Sequence, residues 1–243
     1  WPVMGNAGEP YWKFRKPKSD SKTIVNPVET DEFDSSKLGM QWQWQNDYKE
    51  SYGQATSMGF FRLFTYALPE LGDVSNLWYV PNMLLQKTPA DEFTATTKLS
   101  FCSRNSDQYV GLVCMSAEYS SVGLQRTEDG YELQIRHNPN AMRTHLTDEV
   151  LTVDTLKPTQ KGTPRKGRPA EMHIKDVYLR MSIKDSKVNY AYSIDGKKWK
   201  KAGGEYAIGK GRWIGSKIGF FAVDPNKTGR KGFIDIDWFR ISR

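Results

Sequence analysis

Residues 120–137 read SSVGLQRTEDGYELQIRH, and this stretch predicts two β-strands joined by a tight turn. The triplet Glu128-Asp129-Gly130 supplies the turn, because Asp-Gly pairs favour the compact conformations that connect antiparallel strands. The flanking segments SSVGLQRT and YELQIRH have the composition of strands. A second turn of the same kind, Asp195-Gly196, separates YAYSI from KKW. The chain is therefore expected to contain antiparallel hairpins.

Strand-like segments recur along the chain from Phe33 onward, at a spacing of about ten residues that is typical of a sandwich or barrel. The others lie at 59–66, 92–102, 109–116, 177–184, 187–194, 198–202, 216–224 and 232–242. Eight Trp, 12 Tyr and 11 Phe, with 20 Gly and 12 Pro, also favour strands and turns over helices. No long amphipathic helix and no internal repeat is visible. The sequence predicts an all-β protein.

The formal net charge of +7 raises the question of a polyanionic partner. The basic residues are spread along the chain, with one denser run at 161–169, KGTPRKGRP. Without an accompanying nucleic-acid-binding motif, this run is interpreted as a solvated loop, and no nucleic-acid partner is predicted. No apolar run of about 18 residues occurs, so no membrane span is predicted.

Residues 1–30 differ in character from the rest and are predicted to be a linker. They contain four prolines and show no clear periodicity. Their aromatic residues, Trp1, Tyr11, Trp12 and Phe14, indicate that the segment is laid against another surface. The chain starts without an initiator Met, which we interpret as the start of a mature or cut piece.

Cys102 and Cys114 are the only two cysteines. They flank a predicted hairpin, FCSRNSDQYVGLVC, in which a turn near Ser106 would not place them opposite each other. Two buried free thiols are therefore expected. Neither cysteine has the histidine context of a catalytic nucleophile.

Several segments, taken in order, resemble one known family: FDSSKLGMQWQWQ (33–45), LLQKTPADEFTATTKL (84–99), YVGLVC (109–114), VGLQRTEDGYELQ (122–134), YLRMSIKDSKVNYAYSIDGKKWKKAG (178–203) and FIDIDWFRIS (233–242). They look like the C-terminal concanavalin A-like β-sandwich of glycoside hydrolase family 43 β-xylosidases and α-L-arabinofuranosidases. The resemblance implies a jelly-roll sandwich of two antiparallel sheets over 31–243. It implies that 1–30 is the end of a preceding five-bladed catalytic propeller and its linker.

The resemblance also implies a function. The family's catalytic carboxylates lie in the propeller, so no catalytic residue is assigned here. The chain is expected to be the non-catalytic accessory domain of a family 43-like hydrolase of plant hemicellulose, packing in cis on the catalytic propeller and contacting substrate there. The alternative is an independent carbohydrate-binding module for xylo- or arabino-oligosaccharides. A free-standing sandwich hydrolase ranks last, because paired carboxylates of the type ExDxxE are missing. A monomer in a secreted or periplasmic bacterial enzyme is expected.

The segment MQWQWQ poses the question of which face contacts sugar. Met40, Trp42 and Trp44 share one face of a strand and are predicted to be core. Gln41, Gln43 and Gln45 would then line the other face, where amides can hydrogen-bond sugar hydroxyls. An ordinary solvated face remains the alternative. The predicted carbohydrate-binding residues are Gln43, Trp78, Tyr79, Gln86, Gln125 and Arg126.

The last strand, FIDIDWFRI, is predicted to place Asp235 and Asp237 on one face and Ile234, Ile236 and Trp238 on the other. Inward carboxylates are costly unless they are paired or bound to metal. In folds of the resembled type an Asp of this strand often helps to hold a structural Ca²⁺ near the first strand. We therefore predict a Ca²⁺ site using Glu32 and Asp237. Two solvent-facing aspartates are the open alternative.

The three histidines, His137, His145 and His173, show no metal-binding spacing such as HxxxH and are interpreted as ordinary surface or core residues.

Overall fold

The computed structural model describes residues 3–15, 18, 20, 23, 26–68, 76–142, 147–211, 215–226 and 229–243. Trp1 and His145 lie outside them. The described residues form strands and one short 3-10 helix, Leu77–Tyr79. The strands are β1 (Gln43–Trp44), β2 (Gly53–Ala55), β3 (Phe61–Phe64), β4 (Tyr66–Ala67), β5 (Leu84–Lys87), β6 (Phe93–Ser103), β7 (Tyr109–Met115), β8 (Tyr119–Arg126), β9 (Tyr131–Asn138), β10 (Glu149–Leu156), β11 (Gln160–Lys161), β12 (Met172–Lys184), β13 (Lys187–Ser193), β14 (Lys200–Ala207), β15 (Lys217–Asp224) and β16 (Phe233–Ser242).

The strands form two sheets. Sheet I has the order β1-β5-β15-β7-β8-β9-β10, with β4 pairing with β15, and Sheet II has the order β14-β13-β12-β6-β16-β3-β2, with β11 pairing with β12. Pairing is antiparallel throughout, except where β4 runs parallel to β15. This arrangement confirms the prediction of an all-β sandwich of two antiparallel sheets. No helix in the described ranges is long and apolar enough to cross a membrane.

Alternating side chains build the layer between the sheets. Along β6, Phe93, Ala95, Leu99 and Phe101 are buried, as is Thr97 on the same face. The residues that alternate with them, Thr94, Thr96, Lys98 and Ser100, are half-exposed on the outer side of Sheet II. Sheet I contributes buried residues such as Leu112 to the same cluster. Burial of these side chains against each other is the main favourable contribution to folding.

The outer face of Sheet I is partly covered as well. Leu85, Tyr109, Val113 and Phe221 belong to a second buried cluster, which includes Leu77 of the 3-10 helix. Strand β7 is consequently buried along its whole length rather than on alternate residues. The 3-10 helix is therefore packed against this face of the sheet.

The two cysteines are free and buried, as predicted, but the reason given from the sequence is wrong. Cys102 lies in β6 of Sheet II, whereas Cys114 lies in β7 of Sheet I. The segment between them crosses from one sheet to the other and does not form a hairpin. The two thiols are kept apart by the thickness of the sandwich.

The segment MQWQWQ forms only a short strand, Gln43–Trp44. Trp42 is in the core and Trp44 packs against it, as predicted, but Met40 is fully exposed. Met40 precedes the strand, so strand alternation does not reach it. The prediction for Met40 is therefore wrong.

A β-bulge corrects the prediction for the last strand. Ile236 pairs with Leu99 and Trp238 pairs with Lys98, so Asp237 is the extra residue between them. The bulge reverses the alternation, and Trp238 lies on the outer face of Sheet II while Phe239 enters the core. Sequence alternation alone had placed Trp238 on the same face as Ile234 and Ile236.

The segment just before the sandwich is anchored along β16. Asp31 and Phe239 exchange two backbone hydrogen bonds of 2.8 and 2.7 Å, and the Thr30 hydroxyl accepts the Ile241 N–H at 3.1 Å. By contrast, residues 3–15, which we call the N-terminal arm, are mostly exposed. Its aromatic residues Tyr11, Trp12 and Phe14 are exposed, and their contact with another surface stays a prediction.

Candidate functional site

A cavity of about 490 Å³ lies beside β1 and the 3-10 helix, and we call it the tyrosine-lined cavity. It is lined by Asn46, Asp47, Lys49, Tyr52, Tyr66, Tyr79 and Pro81. The Tyr52 and Tyr66 rings meet edge to face, with centroids 5.1 Å apart. Within the described ranges, none of the three tyrosine hydroxyls makes a hydrogen bond. Tyr66 and Tyr79 are half-buried and within reach of a ligand, whereas Tyr52 is only 1% exposed and contributes mainly to the wall.

Local hydrogen bonds fix the walls of this cavity. The Asn76 side chain caps the 3-10 helix by accepting the Trp78 N–H at 3.0 Å, which orients the turn that carries Tyr79. The backbone N–H of Asn46 donates to the Pro81 carbonyl at 3.3 Å and joins the two opposite walls. The cavity is therefore formed before any ligand arrives.

The chemistry of the cavity suits a polyhydroxylated ring. Aromatic faces pack on the C–H groups of such a ring, and phenol, amide and carboxylate groups exchange hydrogen bonds with its hydroxyls. Burial, followed by the neighbouring Tyr66 and Asp47, raises the pKa of Tyr52. Its hydroxyl therefore keeps its proton.

A second polar feature, which we call the Arg136 network, lies on the outer face of Sheet I. The Arg136 Nη2 donates to the side-chain oxygens of Gln125 at 2.6 Å and Gln134 at 2.9 Å. Gln134 donates to Glu132 at 2.7 Å, and the guanidinium stacks 4.1 Å above the Tyr109 ring. Because these groups already satisfy one another, the network offers a ligand fewer free donors than the tyrosine-lined cavity does.

The predicted carbohydrate-binding residues fall into separate places. Tyr79 lines the cavity, and Trp78 packs against the second cluster beside it. Gln43 is half-buried in β1, and Gln125 belongs to the Arg136 network. The structure does not unite the glutamines in a single groove.

Gln86 and Arg126 require correction. Each is only 3% exposed. Gln86 donates to the Glu29 carbonyl at 3.0 Å and so anchors the linker, and the Arg126 Nη2 donates to the Ala170 carbonyl at 3.2 Å. Both lie on the core-facing side of Sheet I, so their positions do not support sugar contact.

Tyr52 and Tyr66 were missed by the sequence reasoning. The cavity is assembled from three short segments, 46–52, 66 and 79–81, and no local motif marks any of them. The one usable signal was the general rule that loop aromatics often bind ligands, and that rule selected Tyr79.

The predicted calcium ligands are engaged by cations. Glu32 forms a two-point ion pair with Arg240, both distances being 2.8 Å, and that hydrogen bond lowers the pKa of Glu32. Asp237 pairs with Lys98 at 2.8 Å. In the described ranges, neither carboxylate belongs to a cluster of three metal-ligating side chains. This donor set does not fit Ca²⁺, and the calcium site stays a prediction.

Comparison with known proteins identifies the surrounding fold. Residues 30–242 match the family described as the beta xylosidase C-terminal concanavalin A-like domain. The chain is 27% identical to a beta-xylosidase of Formosa agariphila, over 98% of the chain and 40% of that protein. It is 26% identical to a putative beta-xylosidase of Xylanibacter ruminicola, over 90% of the chain and 36% of that protein.

Solved structures agree on the fold. A xylan beta-1,4-xylosidase of Bacillus halodurans superposes with a TM-score of 0.70 at 16% identity, over 100% of the chain and 46% of that protein. A GH43 protein of Bacillus licheniformis superposes with a TM-score of 0.66 at 21% identity, over 99% of the chain and 45% of that protein. The chain thus spans less than half the length of these relatives.

Proposed function

The chain belongs to the family of beta-xylosidase C-terminal concanavalin A-like domains, and we propose that it is the non-catalytic accessory domain of a family 43 glycoside hydrolase. In this proposal a catalytic propeller precedes the domain in the same polypeptide, and the enzyme is of the β-xylosidase or α-L-arabinofuranosidase type. Its substrate is plant hemicellulose. Support comes from relatives that are more than twice as long as the matched region.

The observation that carries the proposal is the exposed N-terminal arm. Trp12 is 95% exposed, and Tyr11 and Phe14 are also largely exposed. Large aromatic side chains clustered in water mark a surface that another protein surface covers. The chain is anchored to β16 at Thr30 and Asp31, so this is the point at which a preceding domain would be joined to the sandwich. We therefore assign the arm to the interface with the catalytic propeller.

The experiment compares the whole natural enzyme with its Trp12→Ser variant. We expect a lower Tm and lower hydrolysis of aryl xylosides in the variant, because the interface loses an aromatic anchor. Met40→Ser is the matched control, since Met40 is equally exposed but lies outside the arm. A Trp12→Ser enzyme that matches wild type in both measurements would overturn the proposed interface, and a natural gene without a catalytic domain would overturn the proposal itself.

The tyrosine-lined cavity favours a second function, an independent carbohydrate-binding module. Isothermal titration of the isolated chain with xylo- and arabino-oligosaccharides tests it. Millimolar or tighter binding that is lost in Tyr79→Ala but kept in Tyr48→Ala would establish the module, since Tyr48 is exposed and does not line the cavity. The absence of heat with any sugar would refute this second function and leave the accessory role in place.

We further propose that the domain is monomeric and belongs to a secreted or periplasmic bacterial enzyme. Polymeric hemicellulose lies outside the cell, which supports this location. Light scattering after size exclusion would test the monomer, and a stable dimer of the whole enzyme would contradict it.

A further inference from the structure

Three metal-ligating side chains meet at one end of the outer face of Sheet II. Cys102 in β6 and His173 in β12 are directly paired across the two strands, and Glu171 precedes His173 by two residues. The His173 Nε2 lies 3.5 Å from the Cys102 Sγ and 2.8 Å from the Glu171 Oε1. The three ligand atoms all lie within 4.8 Å of one another.

The surrounding protein orients these groups. Arg104 donates from Nε to the Glu171 Oε2 at 2.7 Å, which leaves Oε1 directed at the histidine. Cys102 and His173 are both carried by long central strands of the sheet, so their backbones are fixed by ladder hydrogen bonds. Arg104 thus takes the position of the outer partner that usually holds a metal-binding carboxylate.

The sulfur ligand has to lose its proton when a metal binds. Burial, and next the nearby Glu171, raises the pKa of Cys102 to about 12, so the thiol is neutral in the absence of a cation. Burial would raise the pKa of Glu171, but hydrogen bonds from His173 and Arg104 prevail and lower it. A bound divalent cation would have to displace the thiol proton.

We propose that Cys102, Glu171 and His173 form a binding site for a thiophilic divalent cation of the zinc type. Thiolate, imidazole and carboxylate are the three kinds of ligand that zinc combines, whereas calcium selects oxygen alone. Zinc bonds of about 2.0–2.3 Å arranged tetrahedrally place the ligand atoms roughly 3.3–3.7 Å apart. The observed 3.5 Å between sulfur and nitrogen already meets this requirement, and the 2.8 Å between nitrogen and oxygen must open by roughly half an ångström.

The fourth coordination position would be filled by water. Cys102 is buried, but the side chains of His173 and Glu171 are 28% and 39% exposed, so solvent reaches the site from their side. The metal would bridge β6 and β12, and it would stabilise the folded domain by an amount that grows with the logarithm of the free metal concentration above Kd.

The test uses reduced, tag-free chain titrated with Zn²⁺ and with Co²⁺. We expect one equivalent to bind, a higher Tm with Zn²⁺, and a thiolate-to-cobalt charge-transfer absorption with Co²⁺. Cys102→Ser should abolish that absorption and weaken binding at least tenfold, whereas Cys114→Ser should change neither, because that buried thiol lies in the opposite sheet.

His173→Gln is the second variant, because its side chain is partly exposed and its replacement disturbs the core less than a change at Cys102. We expect at least a tenfold loss of affinity with an unchanged metal-free melting curve. Absence of stoichiometric binding in wild type, or binding that survives unchanged in both Cys102→Ser and His173→Gln, would overturn the proposal.

Discussion

Trp42 joins both sheets to the anchored linker, and its replacement tests the packing of the domain. The indole lies 5.6 Å from the Phe33 ring, 5.9 Å from Phe220 in Sheet I and 5.4 Å from Phe239 in Sheet II, measured between ring centroids. Its Nε1 donates to the Asp31 carboxylate at 2.7 Å. Truncation to alanine removes all three ring contacts and this hydrogen bond together.

The expected cost follows from these contacts. Trp42→Ala should lower the free energy of unfolding by about 3–5 kcal/mol, the range for large aromatic residues removed from a core. Trp42→Phe keeps most of the ring but loses the donor to a charged acceptor. Asp31 still accepts hydrogen bonds from the Phe33 N–H at 2.9 Å and the Gln41 side-chain amide at 3.2 Å. We therefore expect Trp42→Phe to lower the free energy of unfolding by ~1.5 kcal/mol, the lower end of the range for hydrogen bonds to charged groups.

Urea unfolding of the isolated chain, followed by far-ultraviolet circular dichroism, measures both costs without relying on tryptophan emission. For a domain of this size each kcal/mol corresponds to about 2–4 °C in Tm. Trp12→Ala is the matched control and should stay within ~0.5 kcal/mol of wild type, since that side chain is exposed. A loss below ~1 kcal/mol for Trp42→Ala, or an equal loss for Trp12→Ala, would refute the packing argument.

Three further predictions concern stability. Burial raises the pKa of Asp148, and the Asp148 Oδ2 has no hydrogen-bond partner in the described part of the chain, so the folded state loses stability as pH rises above the pKa of this residue in the unfolded chain. Asp148→Asn should therefore have a higher Tm than wild type at pH 7, and the difference should disappear near pH ~3.5. A lower Tm than wild type at pH 7 would contradict this. Removal of calcium with EDTA should change the Tm by less than ~1 °C, because Glu32 and Asp237 are already paired with Arg240 and Lys98. A Tm that rises clearly when calcium is added would support the calcium site instead. Gly123→Ala should lower the free energy of unfolding in urea by at least ~3 kcal/mol, because a Cβ at residue 123 would lie 2.1 Å from a backbone oxygen of the neighbouring strand. Gly204→Ala is the control and should leave the free energy of unfolding nearly unchanged, because a Cβ at residue 204 would have no neighbouring atom within 4 Å.

The sequence predicted the positions of the strands better than it predicted which strands pair with each other. Alternation and Asp-Gly turns are local properties, so segments such as 131–137 and 187–194 were found nearly to the residue. Which sheet a strand joins depends on long-range packing, and therefore the crossing between Cys102 and Cys114 was mistaken for a hairpin. Strand β10 was missed because its residues are mostly exposed and form an edge of Sheet I.

The candidate sites were harder to predict for the same reason. Tyr79 was identified by its place in a loop, but its companions Tyr52 and Tyr66 come from segments that meet only in the fold. His173 was interpreted as ordinary, because metal spacing was sought within one segment. Its partner Cys102 is 71 residues away and becomes a neighbour only through the register of two strands.

The pairing of Asp31 with Phe239, reinforced by Glu32 and Arg240, brings the two ends of the sandwich together. A domain whose entry and exit points are adjacent can be joined to another gene at either end without changing where the second domain sits. It can also be permuted: a short bridge from residue 243 to residue 30, with new termini opened in the exposed Glu128-Asp129 turn, should preserve both sheets. Such a geometry makes the domain easy to shuffle by recombination between enzymes.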